Sequence, residues 1–176
     1  HIPVAHVEAG MRSYNKEMPE EINRVAVDHM SDVLFCSSET SVLNLRREGI
    51  RSRQRRFPVV LNDGDVMIDA LKLFYQQARR RSNILETLRL KPNLFYLSTI
   101  HRAENTDDPE KLVAIFQALR HFSEQGHRVV LPLHPRTRGV LKKTHFDFSG
   151  AALMNVIEPV SYLDMLMLEK HAAGII

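Results

Sequence analysis

Pro3-Val4-Ala5-His6-Val7-Glu8-Ala9-Gly10-Met11-Arg12, followed by Pro19-Glu20-Glu21-Ile22-Asn23-Arg24, is the stretch from which the fold is read. Pro3 to Val7 is a short apolar run suited to a sheet, and Glu8 to Lys16 carries the glycine and polar residues of a strand-end loop. Pro19-Glu20-Glu21 then reads as a helix start, because proline tolerates the first turn and acids favour the positive end of the helix. Strand, loop and helix in that order open an α/β unit.

The pattern repeats outward. Ile22, Val25, Ala26, His29 and Met30 make a helical face, and Val33 to Cys36 is a strand. Val42, Leu43 and Leu45 follow as a helix that stops at Gly49. Phe57 to Leu61 is a further strand, the turn Asn62-Asp63-Gly64-Asp65 comes next, and a helix covers Val66 to Arg81. Charged residues with Asn83 and Pro92 then break the pattern, which places a domain boundary near residue 90. In the second half, strands at 94–99, 128–133, 155–158 and 172–176 alternate with helices at 109–125, 136–143 and 162–171. His101 to Asp108 reads as a polar loop. Such alternation predicts an open α/β sheet.

Composition narrows the function. The chain has 176 residues, 44% of them hydrophobic and 26% charged, which is an ordinary globular balance. With one cysteine, a disulfide framework within the chain is excluded, and Cys36 at the end of an apolar run reads as an inert core thiol in a reducing compartment. Neither a three-glycine dinucleotide loop nor a Gly-Lys-Ser/Thr phosphate loop occurs, so nicotinamide and nucleoside-triphosphate chemistry are not supported. No apolar run approaches the length of a membrane span. Arginine clusters at Arg46-Arg47, Arg51, Arg53, Arg55-Arg56 and Arg79-Arg80-Arg81 admit a nucleic-acid surface, but a solvated face is the reading preferred. The chain starts at His1 and ends on Gly174-Ile175-Ile176, and it is read as an internal portion of a longer protein.

Acids and histidines at strand ends are the candidates for chemistry. His6 and Glu8, as strand residues, would share one face. Two further carboxylates at Glu20 and Glu21 add groups able to remove and return a proton. Glu21 has the alternative of stabilising the helix start, and Arg12 that of forming a local salt bridge. His101-Arg102-Ala103-Glu104-Asn105 follows a strand, and His134 in Leu133-His134-Pro135-Arg136 occupies another strand-to-helix junction, where backbone N–H groups attract anions. His6, Glu8, His101 and His134 form no convincing metal cage from their spacing, so metal-independent chemistry is expected.

Taken in order, His6 to Arg12, the Pro-Glu-Glu-x-Asn-Arg segment at 19–24, Gly64-Asp65-Val66-Met67 to Asp69, and His101-Arg102-x-Glu104-Asn105 resemble the non-hydrolysing UDP-N-acetylglucosamine 2-epimerase family. The resemblance covers the middle of that family. It implies two Rossmann-like domains enclosing a nucleotide sugar, the architecture shared with glycosyltransferases of the B type, both incomplete here: 1–90 as the latter part of the first domain and crossover, 91–176 as the first part of the UDP-binding domain. It implies acid/base roles for Glu8 and Glu20, with Glu20 preferred over Glu21, and a nucleotide contact supporting the chemistry for His101. Arg102 and His134 become substrate-binding candidates, Arg102 also a candidate for a regulatory nucleotide-sugar site. His6, Arg12, Glu21, Glu104 and Asn105 become supporting residues.

The implied reaction interconverts UDP-N-acetylglucosamine and UDP-N-acetylmannosamine through UDP elimination and re-addition, without cofactor or metal. A cytoplasmic homodimer is expected, with no nucleic-acid or membrane partner. Segments that the family has on either side are absent, so the isolated chain is expected to be inactive or severely impaired. Three alternatives stay open. Enzymes acting on UDP-2,3-diacetamido sugar acids resemble this family closely, and the Ser13-Tyr14-Asn15 loop does not decide the sugar. A glycosyltransferase shares the layout, and an RNA-binding module would explain the arginines alone.

Overall fold

The computed structural model describes residues 2–52, 57–100, 103–144, 146 and 151–176. The chain divides into two compact units, residues 1–72 and 73–176. Composition suggests a break near residue 90, but packing divides the chain earlier. Ile84, Leu85, Leu88 and Leu90 join Phe95, Leu97 and Leu168 in a core of the second unit, which draws the segment before residue 90 into it.

In the first unit, β1 (Ala5–Ala9), α1 (Pro19–Met30), β2 (Val33–Cys36), α2 (Glu39–Arg47) and β3 (Val59–Asn62) build a three-stranded parallel sheet in the order β1-β2-β3. The long helix α3 (Val66–Arg81) follows and runs across the division between residues 72 and 73. Pro19 opens α1, and the side chain of Ser38 caps α2 by accepting from the Ser41 N–H. Ala9, Leu34, Cys36, Val42, Leu45 and Ile50 form the core between the sheet and α2. Burial pushes the Cys36 thiol up to about 11, helped by the charges of Asp28, Asp63 and Glu39, so it stays a neutral packing group.

The second unit contains α4 (Ile84–Thr87), β4 (Tyr96–Leu97), α5 (Ala103–Thr106), α6 (Pro109–Glu124), β5 (Val129–Pro132), α7 (Pro135–Lys143), β6 (Met154–Ile157), α8 (Tyr162–His171) and β7 (Gly174–Ile175). All its strand pairs are parallel, in the order β6-β5-β4-β7. Asp108 caps α6 and Ser161 caps α8 through their side chains. The sheet is covered on both faces, which is why β5 is a continuous buried run. Leu131 and Leu133 pack with Leu112, Phe116 and Leu141. Val130 packs with Leu97 and Leu168 in a separate cluster. Each such fully buried side chain contributes about 1.5–3 kcal/mol relative to exposure.

Strand order reverses at β4, whose neighbours are β5 and β7. In open parallel sheets the carboxyl ends of the strands at such a reversal are where ligands bind. The predicted polar loop at 101–108 differs from the structure in one respect, since Ala103–Thr106 forms a helical turn there. Two units with parallel sheets and flanking helices agree with the α/β class expected from the alternation and with the Rossmann-like architecture implied by the resemblance.

Candidate active site

β1 and β2 run in register until Val7 opposite Phe35, but Ala9 rather than Glu8 stands opposite Cys36. Glu8 is therefore the extra residue of a β-bulge, and its φ of +67° lies in the left-handed region. A non-glycine residue held there costs about 1–3 kcal/mol, and such outliers cluster at functional sites. The bulge breaks the alternation that would put His6 and Glu8 on one face. Val7 and half-buried Glu8 line a cavity of about 230 Å³ with Phe35, Asp63, Gly64 and Val66, at the carboxyl ends of β1 to β3. His6 points instead into α1, where its Nδ1 meets Asp28 Oδ1 at 2.6 Å.

Asp28 anchors a buried polar network. Its Oδ2 accepts the Gly10 N–H at 3.0 Å and Arg12 Nη1 at 2.7 Å. Arg12 also grips Glu48 with both prongs, Nε to Oε1 at 2.7 Å and Nη2 to Oε2 at 2.6 Å. The Arg12 side chain is 1% exposed and that of Asp28 0%. Glu48 holds the guanidinium proton more tightly than usual, and burial opposes this without reversing it. Asn44 completes the arrangement, giving Nδ2–H to the Gly10 carbonyl at 3.0 Å and accepting the Tyr14 hydroxyl at 2.8 Å.

Gly10 has no room for a side chain. A Cβ there would stand 2.3 Å from the backbone oxygen of Ser41, and its φ is +75°. Gly10→Ala is expected to lower unfolding stability by about 2–4 kcal/mol, read from urea denaturation midpoints at unchanged slope.

The adjacent acids of α1 have different surroundings. Glu21 is 3% exposed and accepts the N–H groups of Ser13, at 3.0 Å, and Tyr14, at 2.9 Å. Glu20 is exposed. Among the described residues neither Glu8 nor Glu20 makes a side-chain hydrogen bond or ion pair, so both carboxylates are uncommitted. A larger cavity of about 570 Å³, whose lining includes Arg12, Tyr14, Glu21, Ile22, Val25 and Glu48, is lined by neither of them.

Burial alone would raise Glu21, but the Ser13 and Tyr14 amides outweigh it and hold the carboxyl below its ordinary range. The Arg12 hydrogen bond does the same for Glu48 against partial desolvation. For both, the unfolded chain takes up protons at a higher pH than the folded one. Their stabilisation is therefore complete above the unfolded value of roughly 4.3 and is lost as pH falls through the lower folded values. Urea midpoints measured from pH 6 down to about 3 should fall on that acid limb, and Glu21→Gln should flatten it.

In the second unit, exposed His134 is the N-cap of α7, with Nδ1 accepting the Arg136 N–H at 3.2 Å. That bond leaves the proton of the neutral ring on Nε2 as an outward donor. Arg136 pairs with Asp107 at 2.7 Å and Arg138 with Glu158 at 2.8 Å beside it. Asn105 is half-buried, with Glu104 its neighbour in α5. His101 and Arg102 lie outside the described residues. Among the described residues no group of three or more His, Cys, Asp or Glu side chains could hold a metal ion, and no helix is long and apolar enough to cross a membrane.

Asp28, Glu48 and Asn44 were not among the residues singled out from sequence. Glu21 and Asp28 stand two helical turns apart on one face, and that spacing is the signal that could have found Asp28. Glu48 and Asn44 carry no comparable local mark.

The family described as UDP-N-acetylglucosamine 2-epimerase matches the chain over residues 1–176. The chain belongs to this family. It is 44% identical over 172 residues to the UDP-2,3-diacetamido-2,3-dideoxy-D-glucuronate 2-epimerase of Pseudomonas aeruginosa, covering 98% of this chain and 45% of that protein. A UDP-N-acetylglucosamine 2-epimerase homolog of Methanococcus maripaludis is 42% identical, with 99% of this chain and 47% of the relative covered. The crystal structure of Methanocaldococcus jannaschii UDP-GlcNAc 2-epimerase in complex with UDP-GlcNAc and UDP superposes with a TM-score of 0.84 at 38% identity, covering 99% of this chain and 48% of that one. The chain thus spans about half the length of the epimerase-family relatives it matches.

Proposed function

We propose that the protein carrying this chain interconverts UDP-N-acetylglucosamine and UDP-N-acetylmannosamine by inverting carbon 2. The observation that carries this reading is Glu8, an uncommitted carboxylate on a left-handed bulge, facing a cavity at the carboxyl end of a parallel sheet. Membership of the epimerase family supports it, as does the relative solved with UDP-GlcNAc and UDP.

In the proposed route a carboxylate removes the carbon 2 proton while the bond from carbon 1 to the UDP oxygen breaks, leaving 2-acetamidoglucal and UDP. UDP then adds back to carbon 1, and a proton is delivered to carbon 2 from the opposite face. Glu8 and Glu20 are assigned the acid/base roles, since each has its carboxylate free for proton transfer. Glu21 is left to hold the Ser13-Tyr14 loop. The second unit is assigned as the first part of the UDP-binding domain and the first unit as the latter part of the domain before it. There His134 offers Nε2–H to the diphosphate at the start of α7, and His101 and Arg102 are assigned to the same ligand. Homodimerisation and a cytoplasmic location follow the family resemblance and belong to this proposal.

A second reading has its own support in the relative that is 44% identical and named for UDP-2,3-diacetamido-2,3-dideoxy-D-glucuronate. The test is kcat/KM for both nucleotide sugars, measured by proton NMR on a polypeptide carrying this chain within the length of its relatives. The proposal expects UDP-N-acetylglucosamine to be favoured by at least about tenfold, the equivalent of 1.4 kcal/mol in the transition state. The reverse preference would transfer the assignment to the diacetamido sugar acid, and consumption of a separate acceptor would mark a transferase.

A further inference from the structure

Alternation along β1 sends His6 toward α1 and Val7 toward the cavity, and Asp28 meets the strand on the α1 side. One oxygen of this carboxylate takes His6 Nδ1 at 2.6 Å, two residues before Glu8. The other takes the Gly10 N–H at 3.0 Å, two residues after it. Asp28 is 1% exposed, and its position is itself fixed by Arg12 at 2.7 Å. A left-handed non-glycine residue persists only where its surroundings over-determine it, and here both flanks of the bulge end on one buried side chain.

We propose that Asp28 is a positioning residue for the epimerisation: by tying down both flanks of the bulge, it fixes the direction in which the Glu8 carboxylate faces the cavity. Its kinetic consequence rests on the function proposed above, while its structural consequence does not. Alanine removes both contacts: it leaves the Gly10 N–H and the His6 ring without the carboxylate that joins the two flanks.

Two measurements test this on Asp28→Ala. The first is amide hydrogen exchange by NMR on the chain itself, where the exchange of the Gly10 amide should rise at least roughly tenfold more than that of core residue Leu34. The second is turnover in the family-length protein. There kcat should fall by on the order of 10²-fold from a misaimed group, with KM held within about threefold. In a Glu8→Gln background the same substitution should lower kcat by less than about twofold, because the two residues act as a unit.

Unchanged Gly10 exchange relative to Leu34 in the folded variant, or fully additive losses in the cycle, would overturn the proposal. If Asp28→Ala does not fold, His6→Phe releases the leading flank alone. Its loss of turnover should again vanish on the Glu8→Gln background, and additivity would count against the proposal in the same way. Should the unmodified protein form no epimer, the functional reading fails while the exchange measurement still decides the role of Asp28.

Discussion

Glu8→Gln is expected to lower the rate of carbon 2 epimerisation by about 10² to 10⁴-fold while leaving the fold and UDP binding intact. Gln keeps the size of the side chain and removes only its capacity to take a proton. Among the described residues Glu8 makes no hydrogen bond or ion pair that the substitution would break, so the loss should appear in kcat rather than in stability. Glu20→Gln, on an exposed position, should likewise leave the fold untouched. Glu21→Gln provides the contrast. It removes a buried carboxylate that accepts two backbone N–H groups, and its main effect should be on stability. Steady-state kinetics and urea denaturation on the three variants separate the roles. Full activity in Glu8→Gln would remove Glu8 from the mechanism.

Arg12→Ala is expected to cost about 3–5 kcal/mol of folding stability, the usual penalty for removing one partner of a buried ion pair. The guanidinium is 1% exposed and bonds both Asp28 and Glu48, so truncation strands the fully buried Asp28 carboxylate without its cation. Arg12→Lys should recover little, because an ammonium cannot reproduce the two-pronged contact with Glu48 together with the bond to Asp28. Loss of less than about 1 kcal/mol in Arg12→Ala, the range of an exposed pair, would show that the network contributes little.

Much of the fold was legible because the local signals agree with the packing. Pro19 and the acids after it mark the start of α1, and the helix predicted at Val66 to Arg81 has those ends. The apolar run at Val33 to Cys36 is a strand of the same length. Where local pattern and packing differ, tertiary contact decides. Residues 82–90 look like a linker in composition yet pack into the second unit through Leu90 and its neighbours, and the polar segment after β4 takes one helical turn.

The candidate site was legible as a set of residue types but not as a geometry. His6 and Glu8 were expected on one face, and a bulge invisible to period-two alternation separates them. Glu20 and Glu21 are equivalent in sequence and opposite in burial, because only Glu21 has the loop amides of Ser13 and Tyr14 folded over it. Asp28 escaped notice because a carboxylate on a helix is ordinarily solvent-facing, and only the fold brings His6, Gly10 and Arg12 to it from far along the chain.

The measurement that bears most directly on the proposed chemistry is proton NMR of UDP-N-acetylglucosamine incubated in deuterium oxide with the family-length protein. Removal and return of the carbon 2 proton predicts that UDP-N-acetylmannosamine appears with deuterium at carbon 2, that the remaining substrate gains the same label, and that both signals of exchange collapse in Glu8→Gln. Substrate that keeps its carbon 2 proton and yields no epimer, in a folded protein that binds UDP, would contradict the account.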